Sequence, residues 1–147
     1  MKKLFFITIF FINCYFTSIT LALGGVLSVT TNESKIEYKK AYFAGGCFWC
    51  MEESFDKIKG VKKSISGYSG GHVKNPTYKQ VIYKDTGHVE AVTVYYDPKL
   101  ISYEKLLEVF WQNVDPFDAN GQFCDKGKSY RSVAFYQNLK QKKIIEN

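Results

Sequence analysis

Two glycines stand between a strand-like run, Lys40 to Ala44, and a helical run that starts at Cys47; this Gly45-Gly46-Cys47-Phe48-Trp49-Cys50 junction constrains the fold more than any other stretch. From Cys47 onward Phe48, Met51, Phe55 and Ile58 recur at helical spacing, Glu52, Glu53 and Asp56 fall between them, and Gly60 closes the segment. The chain must turn from strand into amphipathic helix across the glycines, with Cys47 at the helix start. A thiol there faces the positive end of the helix dipole and unpaired backbone N–H groups, a setting that favours the nucleophilic thiolate form. The glycines also leave room for a substrate to come close. Cys47 is accordingly the candidate nucleophile.

A second strand is expected from Val61 to Tyr68, followed by a long loop marked by Gly70-Gly71 and Asn75-Pro76, and a third strand from Gly87 to Tyr96. Asp97-Pro98 ends that strand, and Ser102 can cap a helix whose apolar face is Tyr103, Leu106, Leu107, Phe110, Trp111 and Val114. Asp115-Pro116 breaks this helix, a fourth strand runs from Arg131 to Tyr136, and a last helical stretch begins near Asn138. The order βαββαβ predicts an α+β fold. Its expected form is a ferredoxin-like two-layer sandwich in which helices cover one face of a mixed or antiparallel sheet.

With 147 residues and 46% hydrophobic content, the chain can bury one real core but not two. Residues 1–24 follow the pattern of a secretory signal: Lys2 and Lys3, an uncharged apolar run from Leu4, then Ala22-Leu23-Gly24. Two readings stand open for it. It is a signal cleaved after Gly24, or, because the uncharged stretch continues to Asn32, a retained membrane anchor. Either way the expected location is the periplasm or the exterior. Residues 25–38 read as a linker and 39–147 as the globular domain. Without Lys2 and Lys3 the chain carries 18 basic against 14 acidic residues, with Arg131 its only arginine, so no nucleic-acid partner is expected. Cys14 leaves with a cleaved signal. Cys47, Cys50 and Cys124 remain, an odd number in an oxidising compartment, so at least one thiol is expected to do chemistry. His72 and His88, taken with these cysteines, complete no zinc-binding spacing, and no metal is expected.

In the third strand Glu90, Val92, Val94 and Tyr96 alternate onto one face. If that face is buried, apolar surroundings raise the carboxyl pKa and make Glu90 a proton donor near neutral pH. The opposite face, Val89, Ala91, Thr93 and Tyr95, is nearly as apolar, and the alternation alone does not choose between them.

Six ordered motifs resemble the A-type peptide methionine sulfoxide reductases: Gly46-Cys47-Phe48-Trp49, Gly67-Tyr68-Ser69-Gly70-Gly71, Asn75-Pro76-Thr77-Tyr78, Thr86-Gly87-His88-Val89-Glu90-Ala91-Val92, Tyr96-Asp97-Pro98 and Ser129-Tyr130-Arg131-Ser132. The resemblance covers about residues 40–140. It implies that Cys47 attacks the sulfur of methionine S-sulfoxide, in proteins, peptides or the free amino acid, while Glu90 donates a proton. It further implies that Tyr78 and Tyr130 bond the sulfoxide oxygen, that Phe48 and Trp49 form the pocket for the methyl group, and that Asp125 orients the site. Phe48 and Trp49 read equally as core, and Asp125 as a loop cap. No prosthetic cofactor is implied; an external thioredoxin-like dithiol restores the reduced enzyme.

Two departures from the family pattern stand out. The family's resolving cysteines lie in a C-terminal tail, whereas here the candidates are Cys50, three residues after Cys47 on one helical face, and Cys124, beside Asp125. The family also usually continues beyond the segment that ends here at Ile144-Ile145-Glu146-Asn147, which raises the expectation of a C-terminally truncated copy. A thioredoxin-like disulfide oxidoreductase and an inactive remnant are the alternative readings. Against the former, Pro76, Pro98 and Pro116 all fall in turns.

Overall fold

The first strand, β1 (Lys39–Ala44), sits near the middle of an antiparallel sheet because its alternate residues Ala41 and Phe43 meet a helical layer and are buried to 1% and 0% exposure. The computed structural model describes residues 36–147. The signal or anchor segment, Cys14 and most of the linker lie outside the described residues. After β1 come α1 (Phe48–Asp56), β2 (Val61–Ser69), α2 (Tyr78–Tyr83), β3 (Val89–Tyr96) and α3 (Tyr103–Gln112). Two short strands follow, β4 (Gly121–Gln122) and β5 (Asp125–Lys126), then a single 3-10 turn over Lys128–Tyr130, β6 (Val133–Phe135) and α4 (Leu139–Glu146).

The main sheet has the order β2-β3-β1-β6, and β1–β3, β1–β6 and β2–β3 all pair antiparallel. Residues from α1, α3 and α4 pack on the face that carries Phe43, Val92, Val94 and Tyr96. Phe43 organises this core: its ring stacks 5.2 Å from Phe55, 5.1 Å from Phe110 and 6.0 Å from Tyr103. Burial of such side chains contributes about 25 cal/mol per Å² of apolar surface removed from water. The opposite face holds a smaller cluster of Ala44, Val89 and Ala91, flanked by Val133 and Phe135. The α+β class and the helical layer on one face match the expectation.

The element order is richer than βαββαβ. The loop after Gly70 contains α2, a six-residue helix that buries only Val81 and so leaves no apolar periodicity to read. Its signal was a capping box: the Thr77 hydroxyl accepts from Gln80 N, and the Gln80 side chain accepts from Thr77 N at 2.8 Å. Strand β3 begins at Val89 rather than Gly87, because Gly87 lies at φ +71° in the turn that leads in. The last strand is only Val133–Phe135, since β1 offers partners to those three residues alone. Trp111, expected on the apolar face of α3, is 43% exposed and lies tilted against Phe110. The predicted Ser102 cap is present, its Oγ accepting from Lys105 N, and Asn138 Oδ1 likewise accepts from Gln141 N at the start of α4.

Candidate active site

Cys47 is the N-cap of α1, with φ −57° and ψ 117°, and its carbonyl accepts from Cys50 N at 3.1 Å and Met51 N at 3.2 Å. Its side chain caps nothing, so the half-buried thiol is not tied to the N-terminus of its own helix. Gly46 makes this possible. It sits at φ +82°, and a Cβ there would come within 2.6 Å of the Gln122 Cβ. Gln122 is 1% exposed and is held by its own amide: Oε1 accepts from Asp115 N at 2.6 Å while Nε2 donates to the Asp115 carbonyl at 2.8 Å. Gly46→Ala is therefore expected to destabilise the fold by about 1–3 kcal/mol, through a left-handed backbone and an overpacked contact, in a chemical denaturation measurement.

No acidic residue lies in the first turn of α1; the carboxyl at its N-terminus comes from β3. Glu90 Oε2 accepts from Phe48 N at 3.0 Å, so the carboxyl sits at the residue directly after Cys47. Glu90 is 2% exposed, and its buried Oε1 has no hydrogen-bond partner among the described residues. Burial pushes its pKa up, the Phe48 N–H bond pulls the other way, and the negative charge of Asp125 adds to the rise. The net direction is upward. The expected burial of the Glu90 face is thus present.

Phe48 is buried and carries the aromatic part of the site. Its ring lies 5.4 Å from Trp49, 5.8 Å from Tyr68 and 6.3 Å from Tyr78. Trp49 is 67% exposed, which corrects a core reading for that residue and leaves it on the rim. Tyr78 opens α2, and Tyr130 closes the 3-10 turn. Burial, the neighbouring Tyr78 hydroxyl and the Glu90 and Asp125 charges all push the Tyr130 phenol far above its ordinary value, so it remains a protonated donor. Asp125, in β5, lies within electrostatic reach of Glu90, Tyr130 and Cys50.

On its other side Cys47 opens into a cavity of about 300 Å³ that Cys50, Met51, Phe123, Cys124 and Asp125 also line. Cys47, Cys50 and Cys124 are all unbonded thiols. The Cys47 thiol pushes the pKa of Cys50 up, with burial and the charges of Asp125 and Glu53 acting in the same direction. Cys124 follows Phe123, which is held at φ +49° in the tight turn between β4 and β5. Both candidate resolving cysteines therefore face the recess that holds the nucleophile.

His88 serves the loops. His88 Nε2 lies 2.8 Å from the Val73 carbonyl, and its Nδ1 accepts from Gly71 N at 3.3 Å, a pairing that suits the Nε2–H tautomer. This clamps the loop leading to Tyr78 against the start of β3. Sequence reasoning passed over Gln122, and it weighed His88 only as a metal ligand and not as a loop clamp. Spacing carried no signal for either, because both act through contacts with chain far away or across a loop.

The sequence profile of the family described as Peptide methionine sulfoxide reductase matches residues 39–147. Peptide methionine sulfoxide reductase MsrA of Listeria monocytogenes serotype 4b (strain CLIP80459) is 57% identical over 113 residues, covering 77% of this chain and 64% of that relative. The protein of the same name from Bacillus subtilis (strain 168) is 57% identical over 106 residues, covering 72% and 60%. Among solved structures, methionine sulfoxide reductase A of Corynebacterium diphtheriae superposes with a TM-score of 0.69 at 29% identity, over 74% of this chain and 55% of that one. Mxr1 from Saccharomyces cerevisiae in reduced form gives 0.68 at 32% identity, over 75% and 67%. The chain spans 64% or less of the length of these two curated relatives.

Proposed function

This chain belongs to the peptide methionine sulfoxide reductase family, and we propose that it reduces methionine S-sulfoxide, in proteins, peptides and as the free amino acid, to methionine. The observation that carries the reading is Glu90: a buried carboxyl with a raised pKa, hydrogen-bonded to the backbone of the residue that follows Cys47. The Cys47 thiolate attacks the sulfoxide, and oxygen passes from the methionine sulfur to the cysteine sulfur. Methionine is reduced by two electrons and Cys47 is oxidised by two to a sulfenic acid, whose oxygen keeps the proton supplied by Glu90. Tyr78 and Tyr130 stabilise the negative charge that builds on oxygen as its bond to methionine breaks, and Asp125 orients them. Phe48 and Trp49 take the S-methyl group.

Recycling uses Cys50. Its thiol attacks the sulfenic sulfur, a disulfide to Cys47 forms, and the Cys50 proton leaves with the hydroxyl as water. The direct contact of the Cys50 and Cys47 side chains favours Cys50 over Cys124. An external thioredoxin-like dithiol then reduces the disulfide. Cys50→Ser, with Cys124 intact, is expected to accumulate Cys47 sulfenic acid after one turnover, detectable as a dimedone adduct by mass spectrometry. An intramolecular disulfide formed by that variant instead assigns the resolving role to Cys124.

The function is tested by supplying the two methionine sulfoxide diastereomers with dithiothreitol as reductant. Loss of the S form alone supports the proposal. Insulin reduction without sulfoxide loss indicates a disulfide oxidoreductase, and neither activity indicates a remnant. The leader pattern of residues 1–24 supports export to the periplasm or exterior, cleaved or anchored, which fractionation of producing cells tests.

A further inference from the structure

Tyr68 belongs to the Gly67-Tyr68-Ser69-Gly70-Gly71 motif and has no role in the chemistry above. It stands on β2 directly opposite Glu90 of β3, so the pleat sends both side chains to the face that carries the site. Its ring packs 5.8 Å from Phe48. The Phe48 ring thus has three aromatic neighbours, Trp49, Tyr68 and Tyr78. Tyr68 is only half-buried, and among the described residues its hydroxyl makes no hydrogen bond. Burial and the proximity of Glu90 and Tyr78 raise its pKa, which keeps the phenol a donor. A half-buried phenol with an apolar ring toward Phe48 and an uncommitted O–H suits a sulfoxide, whose methyl group is apolar and whose oxygen accepts hydrogen bonds.

We propose that Tyr68 determines substrate specificity: its ring, packed on Phe48, forms a wall of the methyl pocket, and its O–H donates to the sulfoxide oxygen. The inference rests on the reading of the chain as a sulfoxide reductase. Because the ring sets the width of that pocket, removing it admits a larger S-alkyl group. Because the O–H is a single neutral donor, removing it weakens every sulfoxide alike.

Both consequences are measured by comparing kcat/KM for the S-sulfoxides of methionine and ethionine, with dithiothreitol as reductant, in the wild type, Tyr68→Phe and Tyr68→Leu. Tyr68→Leu is expected to raise the ethionine-to-methionine ratio about fivefold or more, the discrimination associated with one methylene in an apolar pocket. Tyr68→Phe keeps the ring and is expected to leave that ratio unchanged while lowering kcat/KM for both substrates about fivefold. A merely structural role would lower both rates in Tyr68→Leu without moving the ratio, and that result overturns the proposal. If Tyr68→Leu does not fold, Tyr68→Phe decides alone, and wild-type kinetics in it overturn the proposal. A wild type that reduces neither sulfoxide overturns the reductase reading itself and is distinct from either result.

Discussion

Replacing Cys47 with serine is expected to lower kcat/KM for methionine S-sulfoxide by on the order of 10⁴-fold or more, the scale seen when a nucleophile is removed. A serine hydroxyl is not ionised near neutral pH and cannot carry the transferred oxygen as a sulfenic acid does. The fold should be untouched, because the Cys47 side chain makes no capping bond and its helix contacts run through the backbone carbonyl. An unchanged far-UV circular dichroism spectrum together with lost turnover is the expected pair of results. Retained turnover would transfer the nucleophile to Cys50 or Cys124, the other two unbonded thiols among the described residues.

The second large effect belongs to Glu90. Glu90→Gln keeps a carbonyl oxygen to accept the Phe48 N–H but holds no acidic proton, and general-acid loss of this kind costs about 10²–10⁴ in rate. The pH dependence follows from the upward shift of the Glu90 pKa. The proposed reaction needs the protonated carboxyl as well as the Cys47 thiolate, so the limb of the pH profile that belongs to Glu90 is a loss of wild-type activity as pH rises through the folded-state pKa. Glu90→Gln, slow throughout, should lack that alkaline fall. Stability carries the same sign: between the unfolded and the raised folded pKa the native protein binds more protons, so folding weakens as pH rises across that window. Glu90→Gln should flatten that slope in denaturation midpoints measured over the same range.

Cys47 was legible because two glycines and an apolar periodicity place it at a helix start, a signal contained in about a dozen consecutive residues. Glu90 was half legible. Alternation put it with Val92, Val94 and Tyr96, but both faces of β3 are buried, one under α1, α3 and α4 and the other against Val133 and Phe135, so burial could not be read from polarity. Tyr130 and Asp125 reach the site through the irregular chain between α3 and β6, whose path depends on Gln122 holding Asp115. No local pattern encodes that path; the resemblance to known reductases supplied it. Helix α2 was missed for a different reason, since a helix with one buried side chain depends on its cap more than on its apolar face. Pairing was equally out of reach: that Tyr68 opposes Glu90 depends on the register of β2 against β3, which the bulge between Val61 and Lys63 resets.

The proposed chemistry needs a carboxylic acid that keeps its proton beside a reactive sulfur. The infrared difference spectrum between wild type and Glu90→Gln near neutral pH reads that proton directly. The carbonyl stretch of a protonated carboxylic acid, present in the wild type and lost in the variant, is the predicted result; a difference showing only ionised carboxylate bands would contradict it.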